Sequence, residues 1–186
     1  GSSAPVSAAA AAEVATRPAA PPASTDSVDL RADLVVSEND SLVWASGNVI
    51  IERSDLRATA DSATLDQGRE FARLLREPVI EGRGERQFTL VGTVVDLWSK
   101  QQKLERVRAD GEAKVTSDSL TLTGDTIDLR FVAQEIDRVF VWGTRGVADS
   151  PSQRLEADSL DIRMPGQRLR EVHALGRAIT RSTVDT

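Results

Sequence analysis

The sequence contains no cysteine and no tyrosine, and aromatic residues make up only 4% of its 186 residues. Without cysteine, the chain has neither disulfides nor thiolate metal ligands. The scarcity of aromatics leaves Val, Leu and Ala to supply most of the apolar mass, which predicts a thin or elongated core rather than that of a compact enzyme. No run of about 20 apolar residues is present, so we expect no helical membrane span.

An excess of basic residues is also lacking, since 23 Lys and Arg are outnumbered by 29 Asp and Glu. Nucleic-acid affinity is built largely from clustered Lys and Arg, whereas the arginines here are scattered among acids. We therefore expect no nucleic-acid partner. The single histidine, His173, has no second His or Cys to join it in a metal site and is expected to face outward. No catalytic residue, metal site or cofactor is predicted.

Composition divides the chain into three segments. Residues 1–27 are mostly Ala, Pro and Ser, which predicts a disordered linker. Residues 28–182 form the predicted folded domain, and residues 183–186 form a short tail. Because the chain opens with Gly-Ser rather than Met, we expect that an N-terminal signal peptide or lipid anchor has been removed, and both alternatives stay open.

Two short motifs alternate along the domain. The first motif reads "LRATADSATLD" at 56–66, "FTLVGTVVDLW" at 88–98, "LTLTGDTIDLR" at 120–130 and "RLEADSLDIRM" at 154–164. Its central small residues Ala60, Gly92, Gly124 and Ala157 are 32, 32 and 33 residues apart. The second motif is centred on Gly47, Gly111, Gly143 and Gly176, with a degenerate copy that contains Pro78. A half copy of the first motif, "LRADLVV", occupies 30–36. Such regularity predicts a repeat architecture.

Each motif alternates apolar and polar residues with period two, which is typical of strands with one buried face. The alternation changes phase in the middle of each first motif, as at Thr126/Ile127. Such a slip requires a bulge or bend, which we assign to the small central residues. Short polar connectors between motifs predict antiparallel hairpins. We therefore predict an all-β fold of about ten or eleven consecutive bent strands in repeats of roughly 32 residues, with two facing sheets and unpaired end strands.

The stretch "ASGNVIIERSDLRATADSATLD" at 45–66 resembles the OstA-like family of lipopolysaccharide-transport proteins, which includes LptA, the periplasmic domain of LptC and the N-terminal domain of LptD. The resemblance covers roughly residues 28–182 and implies a single β-jellyroll, or β-taco, in the periplasm. It also implies an apolar groove for the acyl chains of lipopolysaccharide, and end-to-end association with like domains or with copies of itself. One departure is the degenerate copy, whose Pro78 predicts a local break in strand pairing.

Alternation predicts which side chains point into the groove, and the end strands predict the partner contacts. The groove candidates are Val49, Ile51, Leu56, Ala58, Leu90, Leu97, Val107, Val115, Leu122, Ile127, Leu129, Phe131, Val139, Val141, Leu155, Ile162 and Met164. The candidates for edge-strand partner contacts are Leu30, Ala32, Leu34, Val36, Val172, Ala174, Ala178 and Thr180.

Three functions remain open at this point. The first is a lipid-transport module that binds lipopolysaccharide and relays it toward the outer membrane without catalysis. The second is a structural or adhesive β-repeat with a dry core. The third is a carbohydrate-active enzyme that uses carboxylates such as Asp125 and Asp158, although recurrence of aspartate in every repeat suits a structural role better than a unique active site.

Trp44, Phe140 and Trp142 are expected on the outer surface, either covered by residues 1–27 or forming a contact patch.

Overall fold

The computed structural model describes residues 28–84 and 86–182, so the predicted linker and tail lie outside the described residues. Within this part of the chain there are fourteen β-strands and one short 3-10 helix, Pro165–Gln167. The strands are β1 (Asp29–Arg31), β2 (Leu34–Glu38), β3 (Leu42–Glu52), β4 (Leu56–Asp66), β5 (Phe71–Leu75), β6 (Val79–Gly82), β7 (Phe88–Val91), β8 (Val94–Lys100), β9 (Lys103–Ser117), β10 (Thr121–Val132), β11 (Glu135–Asp149), β12 (Gln153–Arg163), β13 (Glu171–Leu175) and β14 (Ile179–Ser182).

All the strand pairs are antiparallel, and each strand pairs with its neighbours along the bent chain. Four pairs of short strands, β1 with β2, β5 with β6, β7 with β8 and β13 with β14, are the two arms of one bent strand each, because both arms face the same neighbours. Joined in this way, the segments make ten bent strands in a β-jellyroll. The predicted all-β class and antiparallel hairpins are confirmed, and the strand that carries Pro78 is interrupted between β5 and β6.

The bent strands fold the sheet into two facing halves. Half A contains β2, β5, β8 and β13 together with the arms 42–46, 62–66, 104–110, 126–132, 135–142 and 159–163 of the long strands. Half B contains β1, β6, β7 and β14 together with the arms 49–52, 56–60, 113–117, 121–124, 146–149 and 153–157. The line along which every strand bends is called the corner.

The corner depends on glycines of the second motif rather than on the small residues of the first. Gly47, Gly111, Gly143 and Gly176 all have positive φ, whereas Gly92 and Gly124 do not. A Cβ at Gly124 would lie 2.5 Å from a methyl carbon of Val141, so this position is small because a side chain of the neighbouring strand β11 packs against it. The predicted bend is therefore present, but the residues to which we assigned it fill the inside of the corner instead.

Each corner glycine of the second motif lies under a side chain of the first motif. The glycine-covering residues are Asp33 for Gly47, Thr93 for Gly111, Asp125 for Gly143 and Asp158 for Gly176. The backbone N–H groups of Asp33, Thr93 and Asp158 donate to the carbonyl of the glycine that each covers, at 2.8 to 3.0 Å. This pairing explains why a glycine in one motif and a short polar residue in the other recur together, 14 residues apart at Gly47 and 18 residues apart at the other three corner glycines.

The turns at the outer ends of the two halves form two rims, which we call lips. Lip A consists of the turns 39–41, 67–70, 101–102, 133–134 and 164–170 at the outer end of half A. Lip B consists of 53–55, 83–84, 86–87, 118–120 and 150–152 at the outer end of half B. The lips lie opposite the corner, so the space between them is the mouth of the folded sheet.

Candidate functional site

The interior between the two halves is a continuous apolar cluster. Leu56, Leu122 and Leu129 are among its largest side chains and are at most 1% exposed. Burial of one such leucine contributes about 1.5–3 kcal/mol to stability, so the cluster is the principal stabilising element of the domain. Every groove candidate from the sequence points into this cluster and is buried, apart from Leu155, which is half-buried and packs against it. Contact of these residues with a lipid stays a prediction.

The list of groove candidates omitted several residues that share this interior. They include Val35, Val43, Leu74, Ile80, Phe88, Val95, Leu104, Leu120, Ile136 and Leu160. Leu74 and Ile80 belong to the degenerate repeat, where Pro78 obscured the period. Leu104 and Ile136 lie at strand ends next to the turns, where the alternating pattern has already given way to polar residues.

A polar contact joins the lips at the N-terminal part of the mouth. Arg53 of lip B donates from its guanidinium to the hydroxyl of Ser99 at 2.8 Å and to the carbonyl of Gln102 at 2.6 Å. Its Nε lies 3.2 Å from Oδ1 of Asp55, and the two side chains are only 11% and 6% exposed. Glu70 holds the opposing turn, because its carboxylate accepts from the N–H groups of residues 101 and 102. We call the Arg53 contact the first clasp.

A second clasp lies at the C-terminal part of the mouth. Gln167 of lip A donates from Nε2 to the carbonyl of Arg86 on lip B at 2.8 Å, and its Oε1 accepts from the N–H of Ile136 at 3.3 Å. Between the clasps, the rings of Phe88 and Phe131 meet across the mouth with their centroids 5.9 Å apart. In this structure the mouth is therefore closed by two polar clasps and an aromatic pair.

The two ends of the interior differ. At the N-terminal end Val35 of β2 is 2% exposed, so the first strand covers the cluster there. At the C-terminal end Leu155, Val172 and Ala174 are half-buried, and every residue of β14 is exposed. The apolar interior is therefore more accessible at the C-terminal end.

Both end strands have one unpaired edge within the described chain, because β1 and β2 pair only with β3, and β13 and β14 pair only with β12. Leu34 and Val36 point away from the interior and are 52% and 44% exposed. Leu30, Ala32, Val172 and Ala174 pack against the cluster, while Ala178 and Thr180 are exposed. Partner contacts at these positions stay a prediction.

A ladder of arginines, aspartates and aromatic rings covers the outer face of half A. The guanidinium of Arg106 lies 4.5 Å from the ring centroid of Trp98, and that of Arg138 lies 4.7 Å from that of Phe140. Hydrogen bonding between Arg138 and Asp161 raises the pKa of the guanidinium and lowers that of the carboxyl. Trp142 likewise lies beneath Arg108. Guanidinium groups therefore cover Phe140 and Trp142, rings that we expected either to be covered by residues 1–27 or to form a contact patch.

Aspartates of the repeats do not form a metal site or a carboxylate cleft in this geometry. Asp125 and Asp158 lie at the corner, where they cover glycines, and Asp128 is buried beneath the guanidinium groups of Arg106 and Arg130. Asp128 is only 1% exposed, because these two arginines shield it from solvent. Within residues 28–84 and 86–182, no three acidic or histidine side chains are grouped so as to hold a metal ion. Nor does that part contain a helix long and apolar enough to cross a membrane.

Comparison with solved structures finds a similar fold in LptH, the LptA-homologous periplasmic component of the conserved lipopolysaccharide transport device from Pseudomonas aeruginosa. The two chains are 18% identical, the match covers 61% of this chain and 85% of LptH, and the TM-score is 0.53. No family model and no curated protein sequence matches the chain. At this level of identity the similarity shows the fold: the chain adopts a β-jellyroll like that of LptH.

Proposed function

We propose that the protein is a periplasmic lipopolysaccharide-binding module of the OstA-like kind, which holds lipid acyl chains in its apolar interior and has no catalytic activity of its own. The observation that carries this proposal is the continuous apolar cluster between two halves that are joined covalently only along the corner. The similarity of the fold to that of a lipopolysaccharide-transport component supports it.

Lipid acyl chains would replace contacts that the two halves now make with each other. Each methylene transferred from water to an apolar interior gains about 0.8 kcal/mol, and a multi-acylated lipid carries dozens of methylenes. That gain is set against the loss of the two clasps and the Phe88–Phe131 contact, each of which contributes on the order of 1 kcal/mol. The loss of these three contacts is therefore small beside the gain from the acyl chains, which would also have to replace the contacts of the apolar cluster.

Relay of the lipid toward the outer membrane would use the unpaired edges. An open strand edge offers a row of backbone donors and acceptors to another chain, and both ends of this sheet have one. End-to-end pairing would join the interiors of successive like domains into one apolar path. The more accessible C-terminal end, around Leu155 and Val172, would be one junction of such a bridge.

A photo-crosslinking amino acid at Leu122, which faces inward, and in a separate variant at Thr121, which faces outward, tests the proposed function. Leu122 is 1% exposed, while Thr121 precedes it on the opposite face of β10. Irradiation with purified lipopolysaccharide is expected to give a lipid adduct at position 122 and none at position 121. Absence of an adduct at both positions in folded protein would overturn lipid binding in the interior.

One observation favours the alternative, a structural or adhesive β-repeat. The interior side chains already pack against one another, and large residues such as Ile127 and Leu129 are fully buried without any ligand. A dry core of this kind would permit end-to-end assembly but no lipid dependence. The same crosslinking experiment separates the two functions, because only the lipid-binding module gives adducts in the interior.

A further inference from the structure

A small cavity lies between the lips beside the second clasp. Its volume is about 200 Å³, and it is lined from lip B by Arg86 and Leu120 and from lip A by Met164, Gln167 and Arg168. Leu120 and Met164 are 7% and 5% exposed and belong to the apolar cluster, so the floor of the cavity is continuous with the interior. An apolar cavity of about 150 Å³ accepts benzene, so this one is large enough for part of an alkyl chain.

The second clasp fixes the geometry of this cavity. Gln167 is 7% exposed, and both ends of its amide are engaged, with the carbonyl of Arg86 on one side and the N–H of Ile136 on the other. Because Gln167 belongs to lip A and donates to the carbonyl of Arg86 on lip B, its side chain sets the separation between the lips here. The walls are therefore positioned before any ligand arrives.

The rim of the cavity carries cationic groups that lack partners within the described chain. Most arginines of the protein, such as Arg53, Arg73 and Arg138, are paired with a carboxylate. Arg86 and Arg168 line the cavity, and their guanidinium groups make no hydrogen bond or ion pair among residues 28–84 and 86–182. Asp118 is the one carboxylate among the described residues that line the cavity, so these residues together carry a net positive charge in a chain whose net charge is −6.

We propose that this cavity is a binding site for an anionic amphiphile. The end of its alkyl chain would lie against Leu120 and Met164, and its phosphate or carboxylate would be held by Arg86 and Arg168. An unpaired guanidinium is a strong donor to either anion, and the apolar floor selects for an attached chain. This site deepens the proposed lipid-binding function and rests on it, because the cavity would admit the lipid from the mouth into the interior.

Calorimetric titration of the whole chain with three probes tests the site. Decyl phosphate below its micelle concentration is expected to bind, whereas decyl maltoside is expected to bind at least tenfold more weakly, and inorganic phosphate not measurably. Amide chemical shifts of the isotope-labelled protein should move at residues 86–87, 117–120 and 164–169. Equal binding of decyl phosphate and decyl maltoside, or binding of inorganic phosphate as tight as that of decyl phosphate, would overturn the site.

Three variants test how the binding of decyl phosphate depends on the charged residues at the rim of the cavity. The double variant Arg86→Gln, Arg168→Gln is expected to weaken decyl phosphate binding about tenfold or more and to leave decyl maltoside unchanged. Asp118→Asn is expected to strengthen decyl phosphate binding, because it removes the one repelling charge among the described lining residues. The matched control is Arg76→Gln, Arg181→Gln, which removes two other guanidinium groups without a partner in the described chain and should have no effect. An equal loss in both double variants would show a nonspecific charge effect and overturn the site.

Failure of this site is distinguishable from failure of the proposed function. If the Arg86 and Arg168 variant binds decyl phosphate normally while lipopolysaccharide still crosslinks at position 122, the cavity site is wrong and the lipid-binding interior stands. If decyl phosphate binds at the cavity and no lipid reaches position 122, the cavity site stands and the lipid-binding interior is wrong.

Discussion

The corner shows how single residues decide the path of the chain. Four glycines of the second motif adopt positive φ, and at each of them a Cβ would come within about 2.5 Å of an aspartate or threonine side chain. A residue with a Cβ at such a position would suffer both backbone strain and a steric clash. Glycine is therefore required at these positions for two reasons: the positive φ, and the lack of space for a Cβ.

We expect Gly47→Ala to destabilise the fold more than Gly166→Ala does. Gly47 has φ of 78°, and its Cβ would lie 2.5 Å from Oδ2 of Asp33, whereas Gly166 has φ of 65° with nothing within 4 Å. We expect Gly166→Ala to cost about 1 kcal/mol from strain alone, and Gly47→Ala to cost roughly 2–3 kcal/mol because the clash adds to the strain. Urea denaturation midpoints measure both, and equal losses would mean that the Asp33 contact adds nothing.

The carboxylates at the corner predict a dependence of stability on pH. Hydrogen bonds from the hydroxyl and the N–H of Thr144, at 2.6 and 2.7 Å, lower the pKa of Asp125. Because its folded-state pKa lies below that of the unfolded chain, Asp125 stabilises the fold at neutral pH, and this contribution is lost as the pH falls below about 4.

Asp125→Asn should therefore lower the free energy of unfolding at pH 7, and the difference from the parent should shrink as the pH falls toward about 3. The control Asp118→Asn removes a carboxylate without a hydrogen bond in the described chain and is expected to leave stability unchanged. Urea titrations at both pH values measure this, and a difference for Asp125→Asn that is independent of pH would contradict the assignment.

The strands can be predicted from the sequence more completely than the turns and bends that connect them. Period-two alternation with a change of phase identified both arms of β10, since Leu122 and Ile127 are both buried although they are an odd number of residues apart. The bend is visible in the sequence because a phase change has few other causes. The residue responsible was misassigned, because a left-handed glycine and a closely packed glycine look the same in a sequence.

The clasps could not be predicted from the sequence. Arg53 and Gln102 are 49 residues apart, and Gln167 and Arg86 are 81 residues apart, so neither pair follows the repeat spacing. Each contact joins turns on opposite lips, and which turns face each other depends on how far the two halves fold together. Only the three-dimensional structure gives that distance, and with it the candidate site at the mouth.

A covalent crosslink between the two lips should prevent lipid from entering the interior. We expect that Arg53→Cys with Gln102→Cys, joined by a short bifunctional thiol reagent, prevents lipopolysaccharide from crosslinking at position 122, and that reductive cleavage of the linker restores it. The chain has no native cysteine, so the reagent acts only at the introduced pair. A pair within one lip, Ser41→Cys with Gln67→Cys, whose backbones are hydrogen-bonded, is the control and should not affect loading. Undiminished loading with the lips tied would show that lipid enters elsewhere.

For the whole molecule, the two unpaired edges predict concentration-dependent association. Leu34 and Val36 are exposed on the N-terminal edge strand, so Leu34→Lys with Val36→Lys should disfavour pairing with another chain while leaving the core intact. Light scattering of the parent is expected to show a mass that rises with protein concentration, and that of the double variant a constant monomeric mass.

Val132→Lys is the control for charge and exposure, because Val132 is 61% exposed but lies away from the end strands. It should associate like the parent. Loss of association in this control as well would point to a general effect of added charge, and unchanged association of the double variant would place the interface outside the β2 edge.

The meander of bent strands has a consequence for how the chain reaches this structure. Every bent strand pairs only with those next to it in sequence, so the backbone ladder can grow one hairpin at a time from any starting point, as in repeat proteins. The clasps and the Phe88–Phe131 contact connect more distant parts of the sequence, and these can form last. The N-terminal hairpins can therefore fold while the C-terminal strands are still unfolded, which allows the domain to form progressively as the chain is synthesised.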